Sequence, residues 1–347
     1  MKELFAKRLK NARVMAGLSM DALAQLVGVS KEAINKYEKG KAQPNSTNLI
    51  KLANALNVKP DYFFRSTSVE LENVNFRKRG MGVKRLNQIR EKVRDNLERY
   101  IELEELLTMD TSFPNPIGHI AITGEKDIET SAEILRKEWE LGLDPVTNVI
   151  ETLEAHEIKV VEMEGEEKFD GLSSFIDNKY PVIVINKNYP IERKRFTLLH
   201  ELGHLLLTKN ESSLDNEKVC HYFAGALLIP EQVVYEKFGK RRHNLLLDEL
   251  IAIQQTWGIS IGALIYRLAE LNVISSEKRS TFFWKRNKSP EFKVLVDKQR
   301  FSGTEQSYRF NQLLYRGIAQ ELLSLSKASE LSNISIHELK KAKNVIR

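Results

Sequence analysis

A single cysteine among 347 residues, Cys220, excludes an internal disulfide, so stability has to come from packing and ion pairs. No secretory-type segment opens the sequence and no apolar run approaches the ~20 residues a membrane span needs, which points to a cytoplasmic protein without a membrane partner. Acid is scarce at one end. Residues 1–65 hold 12 Lys/Arg against 5 Asp/Glu, a balance of +7, whereas the remainder holds 41 against 42. A basic excess confined to the N-terminus suggests a nucleic-acid-binding module joined to a body with another function. With 42% hydrophobic residues the length accommodates two or three cores.

The most informative stretch is Arg193-Lys-Arg-Phe-Thr-Leu-Leu-His-Glu-Leu-Gly-His-Leu-Leu-Leu-Thr-Lys209. Phe196, Leu199, Leu202 and Leu206 recur at helical spacing and make one apolar stripe; Thr197, His200, Glu201 and His204 fall on a second face. His200 and His204, four apart, stack over a common point and are placed to bind one metal ion, with Glu201 beside them to accept a proton from water. This is the His-Glu-x-x-His pattern of zinc peptidases. An amphipathic core helix is the plain alternative, but it would turn three polar groups inward to no purpose and tolerate Gly203 at a cost of about 1 kcal/mol relative to Ala.

A third ligand must come from elsewhere. Glu217-Lys-Val-Cys-His221-Tyr-Phe-Ala-Gly-Ala-Leu-Leu-Ile-Pro230 predicts a second helix with Val219, Phe223 and Leu227 on its apolar face and Pro230 at its stop. Glu217 and His221 share one side of it, so geometry leaves either as the ligand. Here the chain resembles the ImmA/IrrE metallopeptidases, whose later helix has the form Glu-x-x-Ala-Asn-x-Phe-Ala-Ala-x-Leu-Leu-x-Pro. Glu217, Phe223, Ala224, Leu227, Leu228 and Pro230 match, while Cys220, His221 and Gly225 depart. The resemblance, over roughly residues 125–275, implies Zn²⁺ held by His200, His204 and Glu217. It also implies Glu201 as general base and a regulatory protein, often a repressor, as substrate. His221, standing where the family has Asn, is then left near the open metal position as a catalytic hydrogen-bond donor.

Residues 1–65 predict five short helices. Ser19 caps the second, Gly28 turns the chain and Ser30 caps the third, whose outward Lys31, Glu32, Asn35 and Lys36 suit phosphates and base edges. Such a turn between short helices is the helix-turn-helix arrangement. The segment resembles the XRE, or Cro/C1-type, repressors at Leu18-Ser19, Leu23-Ala24, Gly28-Val29-Ser30 and Tyr37-Glu38-x-Gly40. That likeness implies DNA binding through Ser30, Lys31, Glu32, Asn35 and Lys36, and an Arg13–Glu38 ion pair. Met20 replaces a Gln that usually helps hold a phosphate.

Residues 66–82 read as a linker, and Lys84–Leu107 as a helix whose stripe packs on the peptidase body or pairs with a second chain as a homodimer. After a joint at Met109–Asp127 the body starts with a helix over Ile128–Glu140 and a second one capped by Asp144-Pro145. Ile158–Met163, Gly171–Ile176 and Pro181–Asn186 predict strands. His156 reads as a capping or surface histidine. Gly258-Ile259-Ser260 repeats the N-terminal turn and reads as internal packing. Residues 281–305 suggest a sheet-like or irregular segment, and the remainder a helical tail that again echoes a helix-turn-helix.

The expectation is therefore a mainly α protein with an α+β body. Residues 1–65 form the DNA-binding domain, 66–127 a linker and long helix, 128–275 a zincin-like peptidase with a small sheet, and 276–347 a helical region. The expected function is a DNA-binding regulator with a zinc endopeptidase. The rival is a non-proteolytic transcriptional regulator or antitoxin-like binding protein that uses the peptidase fold only for sensing or docking.

Overall fold

The computed structural model describes residues 2–69, 82–109, 111–164, 169–177, 179–209 and 214–343; most of the expected linker at 66–82 lies outside the described residues. The chain opens with α1 (Lys2–Met15), α2 (Met20–Val27), α3 (Lys31–Glu38) and α4 (Ser46–Leu56), then a 3-10 turn over Pro60–Phe64. The long helix α5 (Val83–Leu106) follows, with β1 (Ala121–Ile122), α6 (Glu125–Glu138), α7 (Val149–Ala155), β2 (Lys159–Met163), β3 (Gly171–Ile176) and β4 (Tyr180–Asn186). Next come α8 (Ile191–Leu206), β5 (Thr208–Lys209), α9 (Asn216–Leu228), α10 (Glu231–Phe238), α11 (Leu247–Trp257) and α12 (Ile261–Glu270). The chain closes with α13 (Ser276–Lys288), α14 (Pro290–Asp297), α15 (Arg309–Ala319), α16 (Leu325–Ser332) and α17 (Ile336–Lys343).

These elements form two compact units, Met1–Thr111 with Tyr308–Arg347, and Ser112–Ser307. In the first, Phe5, Leu9, Leu23, Ile34, Leu52 and Phe63 make a small core. The fifth helix expected here is only a 3-10 turn, because five residues opened by Pro60, with no side-chain cap, close i→i+3 bonds and no more. The apolar stripe of α5 is covered within its own unit. Arg8 of α1 pairs with the buried Glu98, Leu103 and Leu107 join Leu313, Leu314 and Leu331 in a second cluster, and Arg99 Nη1 donates to the Leu331 carbonyl at 2.9 Å. The stripe expected to pack on the body or on a second chain is thus covered inside its own unit.

The second unit is built round a three-stranded sheet in the order β2-β4-β3, with β2 parallel and β3 antiparallel to the central β4. Val182 to Ile185 of β4 are all buried, as an uninterrupted β-branched run demands. A two-residue parallel pairing of β1 with β5, too short to leave a pattern, was not expected. Three local readings are corrected. The helix expected to start at Asp144-Pro145 starts at Val149, because Asn148 caps it and the Glu305 carboxylate takes the Val149 and Ile150 N–H groups. The first body helix starts at Glu125, where Asp127 accepts from the Thr123 and Gly124 N–H groups. Of residues 281–305, expected to be sheet-like or irregular, 281–297 carry most of α13 and all of α14, while 298–305 are irregular as expected. Ser275 caps the first and Ser289-Pro290 starts the second.

Candidate metal centre and nucleic-acid interface

Helix α8 lies against β3 and β4 with Leu198, Leu202 and Leu206 inward. Two glycines let its neighbours approach closely. A side chain at Gly203 would meet Cys220 of α9 at 3.2 Å, and one at Gly171 of β3 would meet Thr197 at 2.9 Å and Glu201 at 3.3 Å. The glycine inside α8 therefore brings the start of α9 within reach of the histidines, which accounts for its presence in a helix interior.

His200 Nε2 and His204 Nε2 stand 3.1 Å apart, His200 Nε2 lies 3.3 Å from Glu217 Oε2, and His204 Nε2 lies 3.5 Å from Glu217 Oε1. Ligands at about 2.0–2.2 Å from a tetrahedral zinc are separated by roughly 3.3–3.6 Å. The three donors thus already approximate one face of such a tetrahedron, and their nitrogen and carboxylate types suit that ion. Among the described residues they are the group of three or more His, Cys, Asp or Glu side chains able to hold a metal. His200 is buried and Glu217 exposed, so the group opens to solvent on the Glu217 side.

Two partners meet the far side of His204, the Asn216 amide at 3.0 Å and Cys220 Sγ at 3.3 Å from Nδ1. With a metal held on Nε2 the ring hydrogen would sit on Nδ1, where Cys220 Sγ, or the Asn216 amide with its oxygen and nitrogen exchanged, would accept it. Glu201 is buried, and its Oε2 accepts from Ser173 Oγ of β3 at 2.8 Å. His221 lies outside the three-donor group. Its ring packs on His200 at 4.3 Å and on Phe196 at 5.6 Å, between the three-donor group and a cleft of about 730 Å³.

In the first unit, Ser19 Oγ accepts from the Ala22 N–H and Ser30 Oγ from the Ala33 N–H, both at 3.1 Å, with Gly28 left-handed at φ 77° between the two helices. Lys31, Glu32 and Lys36 are exposed and Asn35 half-buried along α3. Lys31 Nζ sits 2.8 Å from Asp21, a pairing between exposed groups that a phosphate can replace. Arg13 grips Glu38 through two bonds of 2.5 and 2.8 Å, the pair that the repressor likeness implies.

Residues 9–63 match the helix-turn-helix family, and residues 153–269 match the family described as IrrE N-terminal-like domain. The chain carries an XRE-type helix-turn-helix followed by an IrrE-like domain. Over 69 residues it is 35% identical to the SPbeta prophage-derived uncharacterized HTH-type transcriptional regulator YonR of Bacillus subtilis, covering 20% of this chain and 64% of that protein. It is 33% identical to the HTH-type transcriptional regulator ImmR of the same species, covering 19% and 53%. It is also 35% identical to the radiation response metalloprotease IrrE of Deinococcus radiodurans, covering 18% and 24%. The chain thus spans less than two thirds of each of these relatives.

The features that hold α8 of the IrrE-like domain in place were not visible in any motif. Arg195, fully buried, pairs with Glu305 and donates to the carbonyls of Val146 at 2.6 Å and Gly258 at 3.2 Å. Buried Glu192 accepts from Gln254 Nε2 at 3.1 Å and the Arg300 N–H at 3.0 Å. Glu305 and Arg300 lie beyond the matched segment, so α8 is held by residues outside the family pattern. His156 stacks on Trp139 at 4.3 Å at the end of α7, and burial holds its pKa below the usual histidine value, consistent with a structural role.

The cleft is lined by Tyr266, Phe283, Glu270 and Arg279, with Arg279 lying over the Tyr266 ring at 5.3 Å. Burial pushes the Glu270 carboxyl up to about 7 against the pull of Arg267, with Glu129 and Glu125 adding to the rise. No helix among the described residues is long and apolar enough to cross a membrane.

Proposed function

We propose that this chain is a cytoplasmic transcriptional regulator that binds duplex DNA through α3 and cleaves a regulatory protein, such as a repressor, with a zinc-dependent endopeptidase in its IrrE-like domain. The observation that carries the reading is the three-donor group of His200, His204 and Glu217, at separations that suit a tetrahedral ion, in a chain that places Glu201 beside His200. These three side chains would hold Zn²⁺. When bound, the ion supplies Lewis acidity toward a carbonyl and toward water.

Glu201 takes a proton from the attacking water and passes it to the leaving amine nitrogen, while Ser173 fixes one of its carboxylate oxygens. Asn216 orients His204. His221 donates to the carbonyl oxygen as negative charge develops there, a contribution of about 3 kcal/mol when well aimed. The edge strand β3, which carries Ser173, offers main-chain groups to an extended substrate segment.

Glu201→Gln keeps the metal ligands and the shape of the site but removes the base, so cleavage should fall by about 10²–10⁴ while zinc content is unchanged. Comparison of the proteins cleaved in cells by the wild type and by this variant tests the reading; identical fragment sets would leave only a sensing or docking role. For the head, Asn35→Ala should weaken binding and relax sequence preference, and Lys31→Ala should lower affinity on all duplexes alike. Fluorescence anisotropy across a salt series reads both effects, and binding that does not change with salt would rule out a phosphate-based interface.

A further inference from the structure

Among the described residues a left-handed residue, an apolar residue and a helix-opening serine follow one another four times: at Gly17-Leu18-Ser19, which leads into α2, and at three later turns. Gly28-Val29-Ser30, Gly258-Ile259-Ser260 and Asn333-Ile334-Ser335 each place a left-handed residue, at φ 77°, 61° and 59°, before an apolar residue and a serine that opens the next helix. Ser30 Oγ accepts from the Ala33 N–H at 3.1 Å, Ser260 Oγ from Ala263 at 3.2 Å, and Ser335 Oγ from Glu338 at 3.2 Å. In α16–α17, as in α2–α3, both helices are eight residues long and the first is also serine-capped, Ser324 accepting from Lys327 at 3.1 Å.

What differs is where the second helix points its first turns. In α12 the corresponding positions, Ile261 and Ile265, are 0% and 2% exposed, so that copy is packing. In α17, Leu339 is buried like its counterpart Ile34, while Ile336, His337, Lys340 and Lys341 are exposed at the positions of Lys31, Glu32, Asn35 and Lys36. The sequence from 308 onward carries 7 Lys/Arg against 3 Asp/Glu. Glu338, the acid of α17, is turned back to the start of its helix by Ser335, whose N–H and Oγ it accepts at 3.0 and 2.6 Å. The pair is fastened to the head, with Lys59 Nζ donating to Ser329 Oγ at 2.6 Å and Arg65 Nε lying 3.5 Å from Glu330.

We infer that α16–α17 is a second helix-turn-helix, and that α17 contacts the phosphates of duplex DNA through Lys340 and Lys341. Both lysines are assigned to phosphates and not to base edges, so the helix adds affinity and not sequence preference. Lysines pointing to solvent at the positions that α3 uses, on a rigid attachment to the same unit, fit a polyphosphate backbone.

The test uses the full chain with two duplexes, one selected for binding and one random. Lys340→Ala with Lys341→Ala should lower the slope of log affinity against log salt by about 2, equally on both duplexes. Arginine at both positions should restore it, and the thermal midpoint should stay unchanged because both side chains are exposed. Cleavage from an iron chelate tethered at His337→Cys should cut the duplex, with buried Cys220 not competing for the label. An unchanged slope and no cleavage, while Lys31→Ala and Lys36→Ala reduce binding, would overturn the inference and leave the head intact. No effect from any of the four lysines would overturn the role of α3 as well.

Discussion

Glu217→Ala should purify without its metal, whereas His221→Asn should retain it and change mainly the turnover rate. Glu217 supplies one oxygen 3.3 Å from His200 Nε2 and the other 3.5 Å from His204 Nε2, so it faces both imidazoles at once. Its position in the first turn of α9 favours a negative charge, and Asp215 holds that turn through the Glu217 N–H at 3.1 Å. Removing a carboxylate from a site of two neutral imidazoles takes away a ligand and the charge that offsets the ion. The loss in affinity should exceed the ~100-fold that outer partners of a metal ligand can cost. Metal analysis and competition with a chelator measure it. Zinc kept by Glu217→Ala and lost by His221→Asn would show that the ligand sits one turn further along α9.

The second large effect is on stability. Glu305→Ala should destabilise the Ser112–Ser307 unit by about 3–5 kcal/mol, because it leaves a buried guanidinium without its partner. Arg195 and Glu305 are 0% and 1% exposed, and burial drives the Arg195 pKa down while Glu305 holds it up. Glu305 also accepts the Val149 and Ile150 N–H groups at 2.9 and 3.1 Å, so the start of α7 loses its acceptor in the same substitution. For a unit of this size the midpoint should fall by roughly 6–20 °C. Glu305→Gln, which keeps an acceptor but not the charge, should fall less. A calorimetric scan that moves by under a degree would mean that water replaces the carboxylate without loss.

Much of the site was legible because it is written locally. His200, Glu201 and His204 share one helix face by spacing alone, and the turn at Gly28 with its two capping serines declares itself in three residues. Geometry on the sequence could not choose between Glu217 and His221, since both lie on one side of α9; that depends on how α9 crosses α8 at Gly203. The sheet followed from runs such as Val182–Ile185, whereas β1 and β5, two residues each, carry no period to read. Arg195 and Glu305 are separated by 110 positions and look like ordinary surface charges, so their burial is a tertiary fact. Residues 281–297 mislead because their aromatics suggest strands, while Ser275 and Ser289-Pro290 start helices there by ordinary capping. The end of α5 shows the same limit: its stripe demanded a cover, and only the fold reveals that the cover comes from helices more than 200 residues later.

That last arrangement constrains how the molecule is made. Since the unit holding the DNA-reading head takes its final pieces from Tyr308 onward, the whole Ser112–Ser307 unit must leave the ribosome before the outer unit can close. Until then Leu103 and Leu107 stand without Leu313, Leu314 and Leu331. A nascent chain stalled anywhere in the inner unit would therefore expose an apolar helix that the finished protein hides, and premature termination there should yield fragments that chaperones and proteases recognise.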